Sequence, residues 1–421
     1  MTTSDRHEHV GGGSGGDSGG APATPGPGGP LDGITVVDLT STFMGPFCTL
    51  ILAQFGARVI KIEPPGGDIL RGVGDTGGHG LGPIFLNANL GKESVVLDLR
   101  DDADHRRLLR LIEDADVVAH NRPAGSDERL GIDYETLRTI NPAVIVCAMR
   151  GYGAGGPYGS EPAYDDVIQA VSGLAANQTG RGEPQFVRSP VSDKVTGMLA
   201  MGAICAALVE RARSGRGQAI EVPMFETMAQ FLLVEQQGGY VFDPPRGDTG
   251  YARTDSPFRR PYRTRDGLVG VLPYTDAHWR TLFEVLDAGD RADDPRFATI
   301  GARSRHIDEL YEWLDGELAT RTTAETVELF RRAKVPIMPV NGIADLFTDP
   351  HLDAVDFFRS TEHPQLGTVR HARSPVRFSR SGSGPFAQAP ALDSHGRELR
   401  AELDDRSAPP SPTGAAYSEE Q

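Results

Sequence analysis

The chain has 421 residues, a formal net charge of −16 and 51 glycines. Its length suggests two or three domains, each large enough to bury a core. A hydrophobic fraction of 38% and a charged fraction of 24% are typical of a soluble globular protein and exclude global disorder. Acidic residues outnumber basic ones by 58 to 42, which argues against a nucleic-acid partner because phosphate binding needs a basic face.

Both ends of the chain have a composition typical of disorder. Residues 1–30 hold ten of the glycines and no apolar run, so they cannot offset the entropy cost of ordering their backbone. This segment also lacks the apolar core of a signal peptide. Residues 404–421 are rich in Pro, Ser and Ala, and we predict a second disordered tail there.

The sequence predicts a cytoplasmic protein with no membrane contact. No stretch reaches about 18 consecutive apolar residues, so no segment is predicted to span a membrane. Cys48, Cys147 and Cys205 lie far apart, without disulfide density or metal-ligand spacing. The eleven histidines also form no metal-binding spacing, and we therefore predict no metal site.

From Ile34 onward, strand patterns alternate with helix patterns. Residues 34–63 predict a strand, a helix closed by Gly56 and a second strand, which together form a βαβ unit. The continuing alternation implies an α/β fold in which a parallel, Rossmann-like sheet is covered by helices on both faces. The further predicted strands are 94–100, 115–121 and 143–151, and the predicted helices between them are 103–114 and 133–140.

One alternative for this fold is a dehydrogenase. Glu63 ends the second strand, where dinucleotide enzymes carry a ribose-binding acid. Such a site also needs a G-x-G-x-x-G turn after the first strand, and the loop here reads LTSTFMGPF. The dehydrogenase interpretation therefore fails at its most specific element.

A long apolar helix is predicted at residues 192–213. Ala, Gly, Met and Leu dominate it on nearly all sides, which predicts a helix that is buried all round. Asp193 lies in its first turn, where an acid has an ordinary role in stabilising the helix dipole. A carboxylate held at the start of a buried helix could also act as a covalent nucleophile, and the residues alone leave both roles open.

Residues 262–335 predict a smaller unit that contains both α and β structure. A YRTRDGLVGVL hairpin opens it, a strand-like KVPIMPVNG closes it, and the turn-rich stretch 243–261 precedes it. The region 355–400 then returns to strand and helix patterns. The helices predicted within the smaller unit are 276–287, 305–319 and 323–333.

Basic residues recur where the strands of the predicted sheet end. In open α/β sheets ligands bind at this carboxyl edge, so the cluster favours an anionic ligand. The alternative is a set of solvated surface cations that each contribute little. The residues are Lys61, Arg71, Arg100, Arg122 and Arg129.

Two loop segments follow the last of these strands. The glycine-rich GYGAGGPYG at 151–159 could offer backbone N–H groups to a thioester oxygen or a phosphate. Tyr164, Asp165 and Gln169 come next, and the simplest role for Asp165 and Asp166 is to cap the helix that they begin.

Several of these strings resemble the class III CoA-transferases, the family that also contains formyl-CoA transferase, carnitine CoA-transferase and the α-methylacyl-CoA racemases. The resemblance extends from Leu31 to about Leu403. The strings that carry it, in chain order, are LTSTFMGPFCTLILAQFGARVIKIEPPGGDILR, NANLGKESVVLDLR, ADVVAHNRPAGSDERLGIDYETLRTINPAVI, GGPYGSEPAYDDVIQAVSGL, RSPVSDKVTGMLA, RSGRGQAIEVPMFE, RRPYRTRDG, DDPRF and KVPIMPV.

The resemblance implies an architecture. Members of this family are interlocked homodimers, in which each subunit is an open ring threaded through its partner. A large Rossmann-like domain is built from both ends of the chain, and a smaller α+β domain is inserted between them. The implied boundaries are 31–230 for the first part of the large domain, 231–335 for the small domain with its linkers, and 336–403 for the return.

The resemblance also implies a reaction. Asp193, in the VSDKVTG string, falls on the family's catalytic aspartate, which attacks an acyl-CoA thioester to form a mixed anhydride. The CoA thiolate then forms an aspartyl-CoA thioester, from which an acceptor carboxylate collects the CoA. This covalent route needs acyl-CoA and a carboxylic acid as substrates, and no metal or permanently bound cofactor.

Further positions match the family's CoA contacts one at a time. Leu97 and Arg100 match residues beside the adenosine part, and Asn121, Arg122 and Arg129 match other CoA contacts. Tyr164 and Asp165 match a pair beside the thioester. The basic edge, including Lys61 and Arg71, then has the phosphates of CoA as its expected ligand.

Departures from the family pattern bear on the choice of reaction. The racemase branch carries His at the position of Tyr164, so this chain favours CoA transfer over an α-methylacyl-CoA racemase. Phe43 stands where some formyl-CoA transferases carry Gln, and Phe258 lies where they carry a glycine run. We therefore expect a larger, partly apolar acyl group instead of oxalate or formate. A third alternative is a non-catalytic CoA-binding protein.

Overall fold

The structure is a computed structural model that describes residues 28–179, 182–382 and 387–406. Of the two predicted tails, residues 1–27 and 407–421 lie outside the described residues. Asp404 and Asp405, which we assigned to the second tail, instead belong to the last helix. The ion pair between Asp404 and Arg107, at 2.8 Å, helps to hold these two residues in the helix.

A six-stranded sheet forms the centre of the fold, and all of its strands are parallel. The strand order is β3-β2-β1-β4-β5-β6, which is the Rossmann order. The predicted α/β fold with a parallel sheet is therefore confirmed. The strands are β1 (Thr35–Leu39), β2 (Arg58–Glu63), β3 (Glu93–Val96), β4 (Val117–His120), β5 (Ile145–Arg150) and β6 (Ala219–Pro223).

Helices cover both faces of this sheet. Val36 and Val37 are adjacent in β1 and fully buried, yet they belong to the hydrophobic cores on opposite faces. Burial on both faces explains why these strands are β-branched and apolar without alternation. The helices of this part are α1 (Met44–Gln54), α2 (Pro83–Ala88), α3 (Asp102–Glu113), α4 (Ser126–Arg129), α5 (Tyr134–Ile140), α6 (Asp165–Val171), α7 (Leu174–Asn177), α8 (Val191–Ser214) and α9 (Met224–Gln236).

Helix α8, which precedes β6, differs from its prediction in two respects. One side is buried with α1 in a core of the sheet, but Met198, Leu199 and Val209 are 48%, 46% and 62% exposed. The prediction of a helix buried all round is therefore wrong for the single chain. By length and mean hydropathy α8 could also cross a membrane, contrary to the prediction that no segment could, although a core helix meets the same criteria.

A second, antiparallel sheet follows, with a hydrophobic core of its own. Trp279, Phe283, Tyr311 and Phe330 lie in that core and are buried. The predicted hairpin is confirmed, because its two strands pair in antiparallel register. The elements are β7 (Tyr262–Arg263), β8 (Leu268–Val271), β9 (Ile337–Pro339), α10 (Ala252–Asp255), α11 (Asp276–Val285), α12 (Gly289–Ala292), α13 (Ile300–Arg305), α14 (Ile307–Leu318) and α15 (Thr323–Arg332).

The last described segment returns to the first sheet. It contains α16 (Pro350–Ala354), the hairpin of β10 (Phe358–His363) and β11 (Gly367–Ala372), and α17 (Gly396–Asp405). Leu399 and Leu403 of α17 lie in the same core as β2 and α3. The two ends of the described chain therefore meet on one sheet.

Gly197→Ala should destabilise the fold by separating α8 from α1. A Cβ at Gly197 would lie 2.6 Å from the carbonyl oxygen of Met44, so the two helices would have to move apart. We expect the free energy of unfolding to fall by about 1–3 kcal/mol in urea titrations. Gly316→Ala is the control, because a Cβ there meets nothing within 4 Å. Equal stability of the two variants would contradict the close approach.

Candidate active site

The loops after β1 and β4 meet at the point where the strand order reverses. The side chain of Asn121 accepts the N–H of Ser41 at 3.0 Å and donates to the Ser41 carbonyl at 2.8 Å. Thr42 has a φ of 63°, a backbone conformation that is strained for a β-branched residue and that recurs at functional sites. In open α/β sheets this crevice is where ligands bind.

Asp193 lies at the same edge of the sheet. The other end of α8 lies beside the amino ends of the strands, where Arg211 pairs with Asp116 at 2.6 Å and donates to the Ala143 carbonyl. Since α8 runs from one edge of the sheet to the other, its first turn is at the carboxyl edge. The sheet thus places Asp193 with the loop that carries Asn121.

The start of α8 has no cap of its own, because Pro190 precedes the helix and makes no side-chain hydrogen bond there. Asp165 supplies the cap from α6. One of its carboxylate oxygens accepts the N–H groups of Ser192 at 2.6 Å and Asp193 at 3.2 Å, and the other accepts a hydrogen bond from Gln169 at 2.5 Å. Asp165 is nearly buried, so its role in this structure is to anchor the helix that carries Asp193.

The Asp193 carboxyl group is partly desolvated. Burial is the main cause that raises its pKa to about 7, the negative charge of Asp165 contributes in the same direction, and Lys194 opposes both. Lys194 donates to the Ser189 hydroxyl at 2.7 Å, and its ammonium lies 5.6 Å from the ring centre of Phe43. Phe43 precedes α1, so the loop after β1 contacts the surroundings of the carboxylate.

Two of the predicted ligand cations are already paired inside the protein. Lys61 is fully buried, 2.9 Å from Asp68, and donates to the Thr40 carbonyl. Arg71 is buried beside Glu63 at 2.6 Å. The prediction that these two side chains form a basic edge open to a ligand is therefore wrong, since their charges are neutralised by acids of the same edge.

The other predicted CoA contacts differ in how exposed they are and in whether they are paired. The side chain of Leu97 is 1% exposed and belongs to the core, so it offers no surface to a ligand. Arg100 is 84% exposed and paired with Asp98 at 2.9 Å, and Arg129 is exposed on α4. Arg122 is half-buried, and in the part of the chain that the structure describes it has no ion-pair partner. Burial alone lowers the pKa of its guanidinium.

The glycine-rich loop at 151–159 is not an open set of donors. The N–H of Gly153 is bonded to the carboxylate of Glu226, and the N–H of Ala154 to that of Glu221. The expectation of a backbone cradle for a phosphate is therefore not supported at these two positions. Tyr164, by contrast, is 70% exposed immediately before α6, free to face a ligand.

A cavity of about 580 Å³ lies beside α6 and was not anticipated from the sequence. Chain neighbours of its lining are linked to the Asp193 site, because Gln169, next to Ala170, binds both Asp165 and the backbone of Val187, next to Arg188. Arg188 contributes a guanidinium to the cavity and, within the described ranges, has no ion-pair partner. The apolar lining consists of Ala170, Ala175, Ala176, Pro184 and Phe186, and Gln185 adds a second polar side chain.

The sequence missed the capping role of Asp165 as well as this cavity. The absence of any capping side chain before Val191 could have shown that the helix needs an acceptor from elsewhere.

Within residues 28–179, 182–382 and 387–406, no group of three or more His, Cys, Asp or Glu side chains is placed to hold a metal ion.

Comparison with known proteins identifies the family. The model of the family described as CoA-transferase family III matches residues 31–396 of this chain. A succinyl-CoA:mesaconate CoA-transferase of Haloarcula hispanica is 34% identical over 384 residues, which cover 88% of this chain and 96% of that protein. A succinate–glutarate CoA-transferase of Agrobacterium fabrum is 32% identical over 395 residues, which cover 90% of this chain and 98% of that protein.

A solved structure of similar fold supports the same family. The crystal structure of a CAIB/BAIF family protein from Brucella suis matches with a TM-score of 0.75 and 33% identity, covering 90% of this chain and 100% of that one. The chain belongs to CoA-transferase family III. It is an enzyme of the CoA-transferase class, as the resemblance predicted.

Replacing Asp193 by Asn should stabilise the protein more at about pH 8 than at about pH 5. The pKa of about 7 in the folded state lies above the ordinary value of 3.8, so the folded protein loses stability progressively as the pH rises through this interval. Thermal melts of wild type and variant across the interval measure the effect. Asp166→Asn, at an exposed position of α6, is the control. A gain in Tm that is independent of pH would contradict a desolvated carboxylate.

Proposed function

We propose that the enzyme moves CoA from an acyl-CoA to a carboxylic acid with Asp193 as the covalent nucleophile. The observation that carries this assignment is the partly desolvated carboxylate of Asp193, held at the ligand-binding edge of the sheet by Asp165. Desolvation makes a carboxylate a better nucleophile than it is in water. The match of the VSDKVTG string to the family's catalytic aspartate supports the same residue.

The proposed reaction has four steps. A carboxylate oxygen of Asp193 attacks the thioester carbonyl, the C–S bond breaks, and an aspartyl-acyl anhydride and CoA thiolate form. The thiolate attacks the aspartyl carbonyl and releases the donor acid, leaving an aspartyl-CoA thioester. The acceptor carboxylate attacks this thioester, its C–S bond breaks, and a second anhydride and CoA thiolate form. The thiolate finally attacks the acceptor's acyl carbon, which regenerates Asp193 and the new acyl-CoA.

CoA is proposed to bind across the loops after β1 and β4. Arg122 is the best-supported phosphate contact, because a half-buried guanidinium without an acidic partner in the described chain is costly unless an anion joins it. Asn121 joins the two loops. Arg100 and Arg129 are exposed and could reach a phosphate group of CoA. The exposure of Tyr164 next to Asp165 supports a contact with the thioester end.

We further propose that the acids exchanged are dicarboxylates. Arg188 has no ion-pair partner among the described residues and lines a cavity whose remaining lining is mostly apolar, which suits an aliphatic chain that ends in a second carboxylate. The two relatives described above act on succinyl-CoA with mesaconate and on succinate with glutarate according to their names, and these are dicarboxylic acids. A partly apolar acyl group was also expected from Phe43.

The assembly is proposed to be an interlocked homodimer with residues 231–335 as an inserted small domain. Support comes from the apolar side chains that a single chain leaves open on α8 and α9, among which Phe231 and Val234 are 50% and 83% exposed. The separate core around Trp279 and Phe283 supports the inserted domain. A cytoplasmic location remains part of the proposal and is supported by the three free cysteines.

Asp193→Ala should abolish CoA transfer while the protein remains folded. Without the carboxylate neither the anhydride nor the aspartyl-CoA thioester can form, so turnover should fall by several orders of magnitude. Product masses from mixtures of acyl-CoAs and carboxylic acids measure transfer, and circular dichroism checks the fold. In the wild type, hydroxylamine added after an acyl-CoA should leave a hydroxamate on Asp193. Retained activity in the variant would overturn the assignment, and α-proton exchange without an acceptor acid would indicate the racemase alternative.

Arg188→Gln should weaken the binding of dicarboxylates selectively. Loss of the charge-assisted contact should raise KM for glutarate about tenfold and leave KM for valerate, which has the same chain length and one carboxylate, unchanged. Steady-state kinetics with both acceptors give the ratio. Arg213→Gln, at an exposed position near the far end of α8, is the matched control. A wild-type preference for valerate would contradict the proposed substrate class and leave CoA transfer itself standing.

A further inference from the structure

A buried polar cluster lies behind the loop that carries Arg122, and the reaction described above does not use it. His120 ends β4 with its side chain 1% exposed, and its Nε2 is 3.7 Å from Asp127 on α4. The same Asp127 carboxylate oxygen accepts a hydrogen bond from Arg150, at the end of β5, at 2.6 Å. We refer to His120, Asp127 and Arg150 as the His120 cluster.

The His120 cluster is not explained by stability. Among the described residues, neither ring nitrogen of His120 has a hydrogen-bond partner, and the same holds for Oδ1 of Asp127 and for Nη1 of Arg150. Each buried polar group without a partner costs roughly 1–3 kcal/mol. An apolar set of side chains would fill this space at lower cost, so the polar residues call for another role.

Acids compensate the positive charge of Arg150. Asp127 pairs with it at 2.6 Å, and Glu221 of β6 lies 3.3 Å away. Burial lowers the pKa of His120 to about 4, so that its imidazole is neutral near pH 7 and adds no charge beside the two arginines. The neighbouring Arg122 is then the uncompensated charge of this region in the described chain.

The loop that carries Arg122 is held at both ends, at one of them by the His120 cluster. Asn121 is tied to Ser41 by two hydrogen bonds at the start of the loop, and Asp127 is tied to Arg150 just after it. Arg122 lies between these two anchors, and its buried Nε has no hydrogen-bond partner within the described chain. The anchors restrain the backbone while the guanidinium remains available.

We propose that the His120 cluster is a positioning unit, through which Asp127 and Arg150 hold the loop so that Arg122 can bind a phosphate group of the CoA substrate. This inference rests on the proposed function, because it takes CoA as the ligand of this edge. Asp127 and Arg150 act through Arg122 and do not take part in bond making. They set the affinity for the nucleotide end of CoA and leave the chemistry at Asp193 unchanged.

The test is a set of variants whose binding of CoA is measured by calorimetry. Arg150→Gln should raise Kd for CoA about tenfold and raise KM for acyl-CoA similarly, while kcat at saturation stays within about twofold. Arg150→Lys should restore part of the affinity, because it keeps the charge that holds Asp127. Arg138→Gln, which breaks the exposed pair of Arg138 with Glu135, is the matched control and should leave Kd unchanged.

A double-mutant cycle shows whether the cluster acts through Arg122. If it does, Arg150→Gln should have little further effect on Kd in the background of Arg122→Gln, so the two losses should not add. Parallel titrations with dephospho-CoA identify the phosphate: a loss seen only with CoA supports the 3′-phosphate, and an equal loss with both ligands supports the pyrophosphate.

Two results would overturn the inference while the proposed function stands. One is wild-type affinity for CoA in a folded Arg150→Gln variant, and the other is full additivity with Arg122→Gln. Thermal melts distinguish both results from a variant that fails to fold. If Arg150→Gln does not fold, the Kd of Asp127→Asn for CoA is measured in its place. Failure of the wild type to bind CoA or acyl-CoA would instead contradict the proposed function.

Discussion

The hydrogen bonds from the start of α8 to Asp165 are the contacts on which the site depends. The helix begins after a proline and has no cap of its own, so its first N–H groups need an acceptor from elsewhere in the fold. Asp165 provides that acceptor and thereby fixes the backbone of Asp193. Its negative charge also raises the pKa of the Asp193 carboxyl group. One carboxylate therefore both builds the helix start and makes the neighbouring carboxylate less stable, a trade of stability for reactivity that is common at active sites.

Compensation of charge separates the cations that build the fold from those available to a ligand. Lys92 is buried beside Asp38 at 3.1 Å, and burial lowers the pKa of its ammonium group to about 8. Lys61 and Arg71 are also buried beside acids, and these pairs hold the loops that follow β1 and β2. Arg122 differs because no acid in the described residues faces it. A cation near the edge of a sheet is therefore informative about ligands only when its partner is known.

This distinction also explains what the sequence could and could not predict. The parallel sheet was predictable, because strands buried on both faces form continuous runs of β-branched residues such as those of β1 and β2. The string around Asp193 singles out this residue, and its role as the nucleophile stays a prediction. The pairing of Lys61 with Asp68 was not, because it depends on how the loop after β2 folds back. The exposed side of α8 was likewise hidden, since an apolar sequence does not tell which neighbour covers it.

The electrostatics of the site also suggest why the proposed steps must follow their order. A CoA thioester is neutral at its reacting carbonyl, so it can approach the Asp193 carboxylate without bringing a like charge into a partly desolvated space. Its phosphates are at the other end of the molecule, and their proposed contact is Arg122, which has no ion-pair partner among the described residues. A free carboxylic acid in its ionised form would be repelled by Asp193 and Asp165 together. In the proposed aspartyl-CoA intermediate Asp193 is a neutral thioester, so that one of those two negative charges is gone and the acceptor carboxylate can enter. The proposed intermediate would thus store CoA and also open the site to the second substrate.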